Sequence, residues 1–188
     1  MRQKLRVLWL VPAAILAALD QWTKFLAKSN LSKPHVLIPD VLELTYTENT
    51  GAAWSMLSGK QTLLIVVTAL MLGAVLWALL KGAWQHPVLQ AGESLLIAGG
   101  IGNLIDRVWN DYVVDFIYVK AIDFPVFNVA DCCVCCGAAL LLVYVIFLEK
   151  GDVRGNEASA SDGNSGGAAG QDGSTSPLGD ESNGTKMD

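Results

Sequence analysis

Charged residues are scarce in this sequence, and histidine is almost absent. Asp, Glu, Lys and Arg make up 16% of the 188 residues, there are two histidines, and 52% of the residues are hydrophobic. Soluble domains usually carry about 25% charged residues. The shortage of charge excludes an ordinary soluble domain and predicts a membrane protein. In the topology described below, His35 and His86 lie on opposite sides of the membrane, which excludes a metal site that uses both.

The net charge of -5 comes entirely from the end of the chain. Residues 1–150 hold 11 basic and 11 acidic residues, whereas residues 151–188 hold two basic residues, seven acids and nine of the 18 glycines. Such a segment buries too little apolar surface to offset the entropy lost on ordering. We therefore expect a membrane domain over residues 1–150 and a disordered, acidic, Gly/Ser-rich cytoplasmic tail over residues 151–188.

Long apolar runs, in contrast, occur four times. A helix of about 20 apolar residues spans a bilayer, and the runs that qualify cover residues 7–27, 61–81, 88–105 and 126–148. The third run contains Glu93 but is rich in small residues, which suit close helix packing in lipid. The first run follows the basic segment MRQKLR, as a signal peptide would. Asp20 and Lys24 near its end, and the absence of a small-residue cleavage site, favour a retained helix.

The basic residues before the first run set the predicted orientation. Arg2, Lys4 and Arg6 form the densest cluster, and such clusters stay on the cytoplasmic side. The predicted fold is an integral membrane all-α protein with four transmembrane helices, both termini inside, and segments 28–60 and 106–125 outside. Within the first outer segment, VLELTYT alternates apolar and polar residues with the period of a strand. We expect a small extracytoplasmic β-sheet between helices 1 and 2, resting on the membrane surface.

Polar residues gather at the outer ends of these helices. A charged side chain at the centre of a span costs about 2.5–3.5 kcal/mol on insertion scales, so such residues need partners or a function. Asp20 and Lys24 stand four residues apart with the acid first, which suits an ion pair on one helix face. Asp106 and Arg107 are adjacent and point in different directions, so we expect each to anchor a neighbouring segment.

Two carboxylates remain, Asp115 in the short loop between the last two helices and Asp131 at the start of the fourth. No Ser, Cys or His is in a matching location to form a catalytic pair of nucleophile and base. Two aspartates at a partly desolvated boundary can share one proton, so that one activates water and the other protonates a leaving amine. Two structural alternatives stay open at this point: Asp131 as a helix cap and Asp115 as the partner of an arginine.

Four cysteines lie within five residues, but their spacing does not favour a metal site. Successive residues of a helix point about 100° apart, so neighbours do not converge on one ion as a C-x-x-C loop does. Disulfides between neighbours in one helix are disfavoured by geometry. We expect small apolar packing residues inside the bilayer at Cys132, Cys133, Cys135 and Cys136, and we expect no metal and no cofactor.

Five short motifs follow one another along residues 1 to about 148. They are DQWTK (20–24), NTGAAW (49–54), GGIGNLIDR (99–107), VVDF (113–116) and FNVAD (127–131). In this order, each at the outer edge of a predicted helix, they resemble the motifs of the bacterial lipoprotein signal peptidases, or type II signal peptidases. The tail is outside the resemblance.

The resemblance implies an aspartic endopeptidase of the bacterial inner membrane, with its active site at the extracytoplasmic face. Such an enzyme removes the signal peptide from diacylglyceryl-modified prolipoproteins, cutting before the lipobox cysteine, and binds the antibiotic globomycin in the same cleft. The implied catalytic pair is Asp115 and Asp131. The implied substrate-binding or supporting residues are Asn103, Arg107, Asn128, Asn49, Gly51, Asp20, Lys24 and Asp106. We expect prolipoproteins and membrane lipids as partners, no nucleic acid, and a monomer.

Two other classes of protein stay open, a small four-helix transporter and a non-catalytic membrane assembly factor. A proton-coupled transporter places its essential acid near the bilayer midplane, whereas the acids here gather at one edge. An assembly factor would tolerate Asp115→Asn, because the amide keeps much of the hydrogen bonding.

Overall fold

The computed structural model describes residues 7–51, 56–82 and 86–148. The elements in chain order are helix α1 (Leu10–Asn30), strands β1 (His35–Ile38) and β2 (Leu42–Asn49), helices α2 (Gln61–Lys81) and α3 (Pro87–Asn110), strand β3 (Val113–Val119), a 3-10 helix (Lys120–Ile122) and helix α4 (Val129–Val143), which continues as a π-helical segment (Tyr144–Leu148). The predicted tail, the basic cluster at 2–6 and part of the second motif lie outside the described residues.

Four helices of the described chain are long and apolar enough to cross a membrane: α1, α2, α3, and α4 with its extension to Leu148. The four apolar helices of the sequence prediction are therefore present. Helices α1 and α3 end at Asn30 and Asn110, past the ends of the apolar runs at residues 27 and 105. Helix α4 begins at Val129, three residues later than predicted, because Phe127 exchanges backbone hydrogen bonds with Ile117 and Asn128 caps the helix. The orientation with both termini inside stays a prediction.

Helix α3 is the central helix of the bundle. The buried share of its membrane-spanning window is 50%, against 28% for α1 and 11% for both α2 and α4. Small residues allow the neighbours to approach its backbone. A Cβ atom on Gly99 would clash with the carbonyl oxygen of Ala130 in α4, and one on Gly102 would lie 2.5 Å from a carboxylate oxygen of Asp20 in α1.

Glu93, which interrupts the third apolar run, is fully buried in α3, with 0% of its side chain exposed. Neither carboxylate oxygen has a hydrogen-bond partner in the described structure. A buried polar group without a partner opposes folding, so this residue lowers the stability of the bundle near the start of α3.

The three strands form an antiparallel sheet in the order β1-β2-β3, which confirms the expected small sheet. Thr47 of β2 pairs with Asp115 of β3, and Asn49 pairs with Val113. The prediction of a loop around Asp115 is wrong, because VVDFIYV is rich in β-branched residues and completes the sheet as β3. The placement of this sheet on the membrane surface stays a prediction.

One face of β3 packs against the end of α1. Val114 and Phe116 form a buried cluster with Ala27 of α1, and Leu44 and Tyr46 of β2 pack around it. Side chains alternate along a strand, so Asp115 points to the other face. This alternation aims a carboxyl group toward α3 and α4.

We expect Gly99→Ala to lower the free energy of unfolding by about 1–3 kcal/mol, the usual cost of adding a methyl group to a packed interior. The added atom would meet the backbone of α4, which cannot move aside as a flexible side chain does. Gly73→Ala in α2 is the matched control, since nothing lies within 4 Å of its added Cβ. Thermal unfolding in one detergent measures both, and equal melting temperatures would contradict the close packing of α3 on α4.

Candidate active site

The structure brings all the predicted site residues into one network of contacts. They come from α1, from β2 and the residues after it, from α3, from β3 and from the start of α4. They are Asp20, Lys24, Asn49, Gly51, Asn103, Asp106, Arg107, Asp115, Asn128 and Asp131. All are buried except Asn49 and Asp131, which are partly exposed.

The ammonium group of Lys24 is at the centre of the charged part of this network. Its Nζ lies 2.9 Å from Asp20 Oδ2 and 3.1 Å from Asp106 Oδ2, and it donates to Asn103 Oδ1 at 2.9 Å. Lys24 is only 3% exposed, so the three charges are stabilised by one another rather than by water. The expected pair of Asp20 and Lys24 thus gains a second carboxylate from α3.

Both carboxylates also accept hydrogen bonds from the backbone of other elements. Asp20 Oδ1 accepts from the Ala130 amide at 2.8 Å, which joins α1 to the first turn of α4. Asp106 Oδ2 accepts from the Val114 amide at 3.0 Å, which joins α3 to β3. The charged cluster therefore holds four elements in register.

Gln21 belongs to this network, although sequence reasoning misses it. Its Nε2 donates to the Gly102 carbonyl at 3.0 Å and to Asp106 Oδ1 at 3.2 Å. The sequence feature that could have indicated a role for Gln21 is its position inside the motif DQWTK. Its side chain adds two further hydrogen bonds between α1 and α3.

Arg107 directs its terminal nitrogens at backbone carbonyls. Nη2 donates to the Gly51 carbonyl at 3.1 Å and Nη1 to that of Asn103 at 3.3 Å. The buried Nε has no hydrogen-bond partner in the described structure. Among the described residues Arg107 makes no ion pair with Asp115, so the arginine-paired alternative for Asp115 is wrong.

Asp131 and Asn128 cap helix α4 reciprocally. Asn128 Oδ1 accepts from the Asp131 amide at 2.9 Å, and Asp131 Oδ2 accepts from the Asn128 amide at 3.1 Å. The other carboxylate oxygen of Asp131 accepts from Asn103 Nδ2 at 2.8 Å. The helix-capping role that the sequence left open is present, and it fixes the carboxylate in one orientation.

The carboxyl group of Asp115 is held by two asparagine amides. Asn128 Nδ2 donates to Oδ1 at 2.6 Å, and Asn49 Nδ2 donates to Oδ2 at 2.9 Å. Asp115 is 2% exposed. Burial raises the pKa of Asp115 to about 6, and the charge of Asp131 acts in the same direction, whereas the hydrogen bonds from Asn49 and Asn128 oppose the rise.

The two aspartates open onto one cavity of about 480 Å³. Its polar wall consists of Thr47, Asn49, Asn103, Arg107, Asp115 and Asp131. Its apolar wall, which sequence reasoning misses, includes Phe124, Phe127, Val134 and Cys135. A cavity with one polar and one apolar wall suits a substrate that presents both kinds of surface.

The four cysteines, which we expected to be small apolar packing residues inside the bilayer, lie on different sides of helix α4. Cys133 is buried in the core of the bundle, whereas Cys132, Cys135 and Cys136 are exposed on the helix surface. Helical geometry spreads four nearly consecutive residues around the axis, so only one of them faces the core. Within the described ranges, no group of three acidic, histidine or cysteine side chains is arranged to hold a metal ion.

Comparison with known proteins agrees with the motifs. The family model described as signal peptidase (SPase) II matches residues 12–147, which is most of the chain. This chain belongs to the signal peptidase II family. Membership of that family, together with the four apolar helices, makes the chain a multi-pass membrane peptidase.

Several relatives align with this chain over most of their own length. The lipoprotein signal peptidase of Enterococcus faecalis is 37% identical over 158 residues, covering 83% of this chain and 98% of that protein. The lipoprotein signal peptidase of Streptococcus thermophilus is 42% identical over 144 residues, covering 74% and 94%. A bacterial membrane enzyme solved by the in meso method at 2.3 Å resolution has a TM-score of 0.69 and 35% identity, covering 73% of this chain and 87% of that one.

We expect Lys24→Met to destabilise the protein by about 3–5 kcal/mol, because it leaves the buried carboxylates of Asp20 and Asp106 without their cation. Lys120→Met is the control, since Lys120 pairs with Glu43 and Asp40 while 44% of its side chain is exposed. Exposed pairs contribute about 0–1 kcal/mol. Thermal unfolding in detergent compares the two variants, and similar losses would show that the Lys24 cluster is not a buried ionic contact.

Proposed function

We propose that this protein is an aspartic endopeptidase that removes signal peptides from diacylglyceryl-modified prolipoproteins by cutting before the lipobox cysteine. The observation that carries the proposal is the pair Asp115 and Asp131, which line one cavity and share contacts with Asn128. The substrate class rests on the relatives, which are named lipoprotein signal peptidases.

Asp131 acts as the general base in this proposal. It is the more exposed of the two aspartates, so water reaches it first. Asn103 Nδ2 and the Asn128 amide donate to its two oxygens and fix the direction in which the carboxylate points. Asp131 takes a proton from a water molecule as the water attacks the scissile carbonyl carbon.

Asp115 holds the proton of the pair. Burial raises its pKa to about 6, and two carboxylates in one site do not readily ionise together. Its proton polarises the scissile carbonyl and then passes to the leaving amine. No covalent intermediate is needed, because the nucleophile is water.

Arg107 shapes the wall of the cavity in this proposal. Its terminal nitrogens donate to the carbonyl groups of Gly51 and Asn103, which holds the residues after β2 against α3 beside the two aspartates.

We place the cavity at the outer face of the bacterial cytoplasmic membrane, with both termini inside. The strand β1 exposes about half of each of Val36, Leu37 and Ile38, which suits contact of the sheet with the outer leaflet. The lipid chains of the substrate then stay in the bilayer, where each buried CH₂ contributes about 0.8 kcal/mol. The protein acts as a monomer in this proposal.

We expect Asp115→Asn and Asp131→Asn each to lower kcat by about 10²- to 10⁴-fold, the usual contribution of a general acid or base. Asn keeps the shape of the side chain and one of its two acceptor oxygens, and the melting temperature of each variant reports whether the fold is retained. The assay is cleavage of a synthetic diacylglyceryl-modified prolipoprotein by the purified protein in detergent, with the product mass locating the bond. Globomycin, which is expected to occupy the same cavity, serves as an inhibitor control.

Asp40→Asn is the matched control for the two catalytic variants. Asp40 is an exposed acid with a positive φ of 56°, a conformation that asparagine also adopts. Its substitution leaves cleavage at the wild-type rate. Activity that survives either Asp115→Asn or Asp131→Asn would refute the aspartic mechanism, and a folded wild type without cleavage would favour the transporter or assembly-factor class.

We expect kcat/KM to fall as the pH rises above about 6, because the folded protein then loses the proton of Asp115. The decrease should approach tenfold per pH unit. Asn49→Ala removes a hydrogen bond that favours the ionised carboxylate, so it raises the pKa of Asp115 and moves the alkaline limb to higher pH. A limb that stays in place or moves to lower pH in this variant would contradict the assignment of the proton to Asp115.

A further inference from the structure

The chain between β3 and α4 runs along the edge of β3 that β2 does not occupy. The Phe127 amide donates to the Ile117 carbonyl at 3.0 Å, and the Ile117 amide donates to the Phe127 carbonyl at 2.8 Å. The Phe124 amide donates to the Val119 carbonyl at 3.1 Å. Because β2 pairs with the other edge of β3, residues 124–127 add a short edge segment to the sheet.

Val126 directs its backbone groups away from the sheet. Successive residues of an extended chain point their N–H and C=O groups to opposite edges, and both groups of Phe127 point to β3. The N–H and C=O groups of Val126 therefore point to the side opposite β3. Among the described residues, no hydrogen bond uses either group of Val126.

The same edge segment forms part of the wall of the candidate active site. Val126 is partly exposed, and Asn128 two residues later donates to Asp115 and caps the helix that carries Asp131. The cavity of about 480 Å³ is lined by the whole edge segment, namely Phe124, Pro125, Val126 and Phe127. A backbone donor and a backbone acceptor are thus available beside the two aspartates.

An open sheet edge of this kind suits an extended peptide. Unpaired N–H and C=O groups at an edge bind the backbone of another chain in the manner of an added strand. Lipid acyl chains offer neither a donor nor an acceptor, so they cannot use this pair of groups. The edge is also short, because Pro125 has no N–H group and the groups of Phe127 are bound to β3. It therefore suits the fixing of one position of a bound chain.

We propose that Val126 is a substrate-binding residue whose backbone holds the prolipoprotein chain in an extended conformation. The identity of this ligand rests on the proposed function. The Val126 N–H donates to a carbonyl group of the substrate, and the Val126 C=O accepts from an N–H group of the substrate. These two hydrogen bonds set the register of the substrate relative to Asp115 and Asp131. They are equally strong before and during the reaction, so they lower KM and leave kcat unchanged.

The first experiment tests the C=O group of Val126 with modified substrates. In a synthetic diacylglyceryl-modified prolipoprotein peptide, each amide other than the scissile one is replaced in turn by an ester, which removes one N–H group and keeps the side chains. The full-length wild type in detergent cleaves each peptide. We expect one ester to raise KM by about 2- to 10-fold, the effect of losing one neutral hydrogen bond, with kcat retained. The esters at the other positions are the controls.

The second experiment tests the N–H group of Val126 with two variants. Val126→Pro removes this group, whereas Val126→Ala keeps it and shortens the side chain. Proline is tolerated at a sheet edge where its nitrogen makes no ladder hydrogen bond, and the melting temperature of each variant reports the fold. We expect KM for the unmodified peptide to be about 2- to 10-fold higher in Val126→Pro than in Val126→Ala, at similar kcat.

Equal KM values for all the esters, or a folded Val126→Pro with the KM of Val126→Ala, would each overturn the proposal. Where Val126→Pro does not fold, the ester series decides alone. A wild type that cleaves no peptide contradicts the proposed function instead. Binding of the same peptides carrying a dye, followed by fluorescence anisotropy, then tests the edge: weaker binding of one ester supports the proposal, and equal or absent binding overturns it.

Discussion

The buried contact of Lys24 with Asp20 and Asp106 is the interaction on which the rest of the structure depends. These three side chains are between 1% and 3% exposed, so removing Lys24 leaves two buried carboxylates that neither water nor another cation of the cluster balances. The same carboxylates accept from backbone amides at the first turn of α4 and in β3. One cation thereby sets the relative positions of the two segments that carry Asp131 and Asp115.

The side chains that donate hydrogen bonds to the two aspartates of the cavity are neutral amides and not cations. Asn49, Asn103 and Asn128 donate to the carboxyl groups, and Arg107 directs its terminal nitrogens at carbonyl oxygens. A lysine or arginine in direct contact would hold both carboxylates ionised, whereas amides orient them and leave the charge balance open. This arrangement orients the two carboxyl groups without placing a cation in direct contact with either of them.

The cavity of this signal peptidase II family member is lined by both polar and apolar residues. Its polar wall depends on the sheet, because the alternation along β3 buries Val114 and Phe116 against α1 and turns Asp115 to the opposite face. Its apolar wall depends on α4, whose close approach to α3 at Gly99 brings Val134 beside the acids. The position of the acids in the cavity and the packing of the helices thus depend on the same few contacts.

The lengths of the apolar runs were enough to predict the four helices, and the alternation of residues 42–47 was enough to predict a strand, because both patterns involve only neighbouring residues. The members of the polar site followed from the order of the five motifs along the chain. The same patterns misplaced Asp115 in a loop, whereas it lies in β3. They also left open whether Asp115 meets an arginine. Those questions were decided by the pairing of β3 with β2 and the docking of α4 on α3. Hydrogen-bond partners and cavity walls depend on where distant parts of the backbone meet, and no local period of the sequence encodes that.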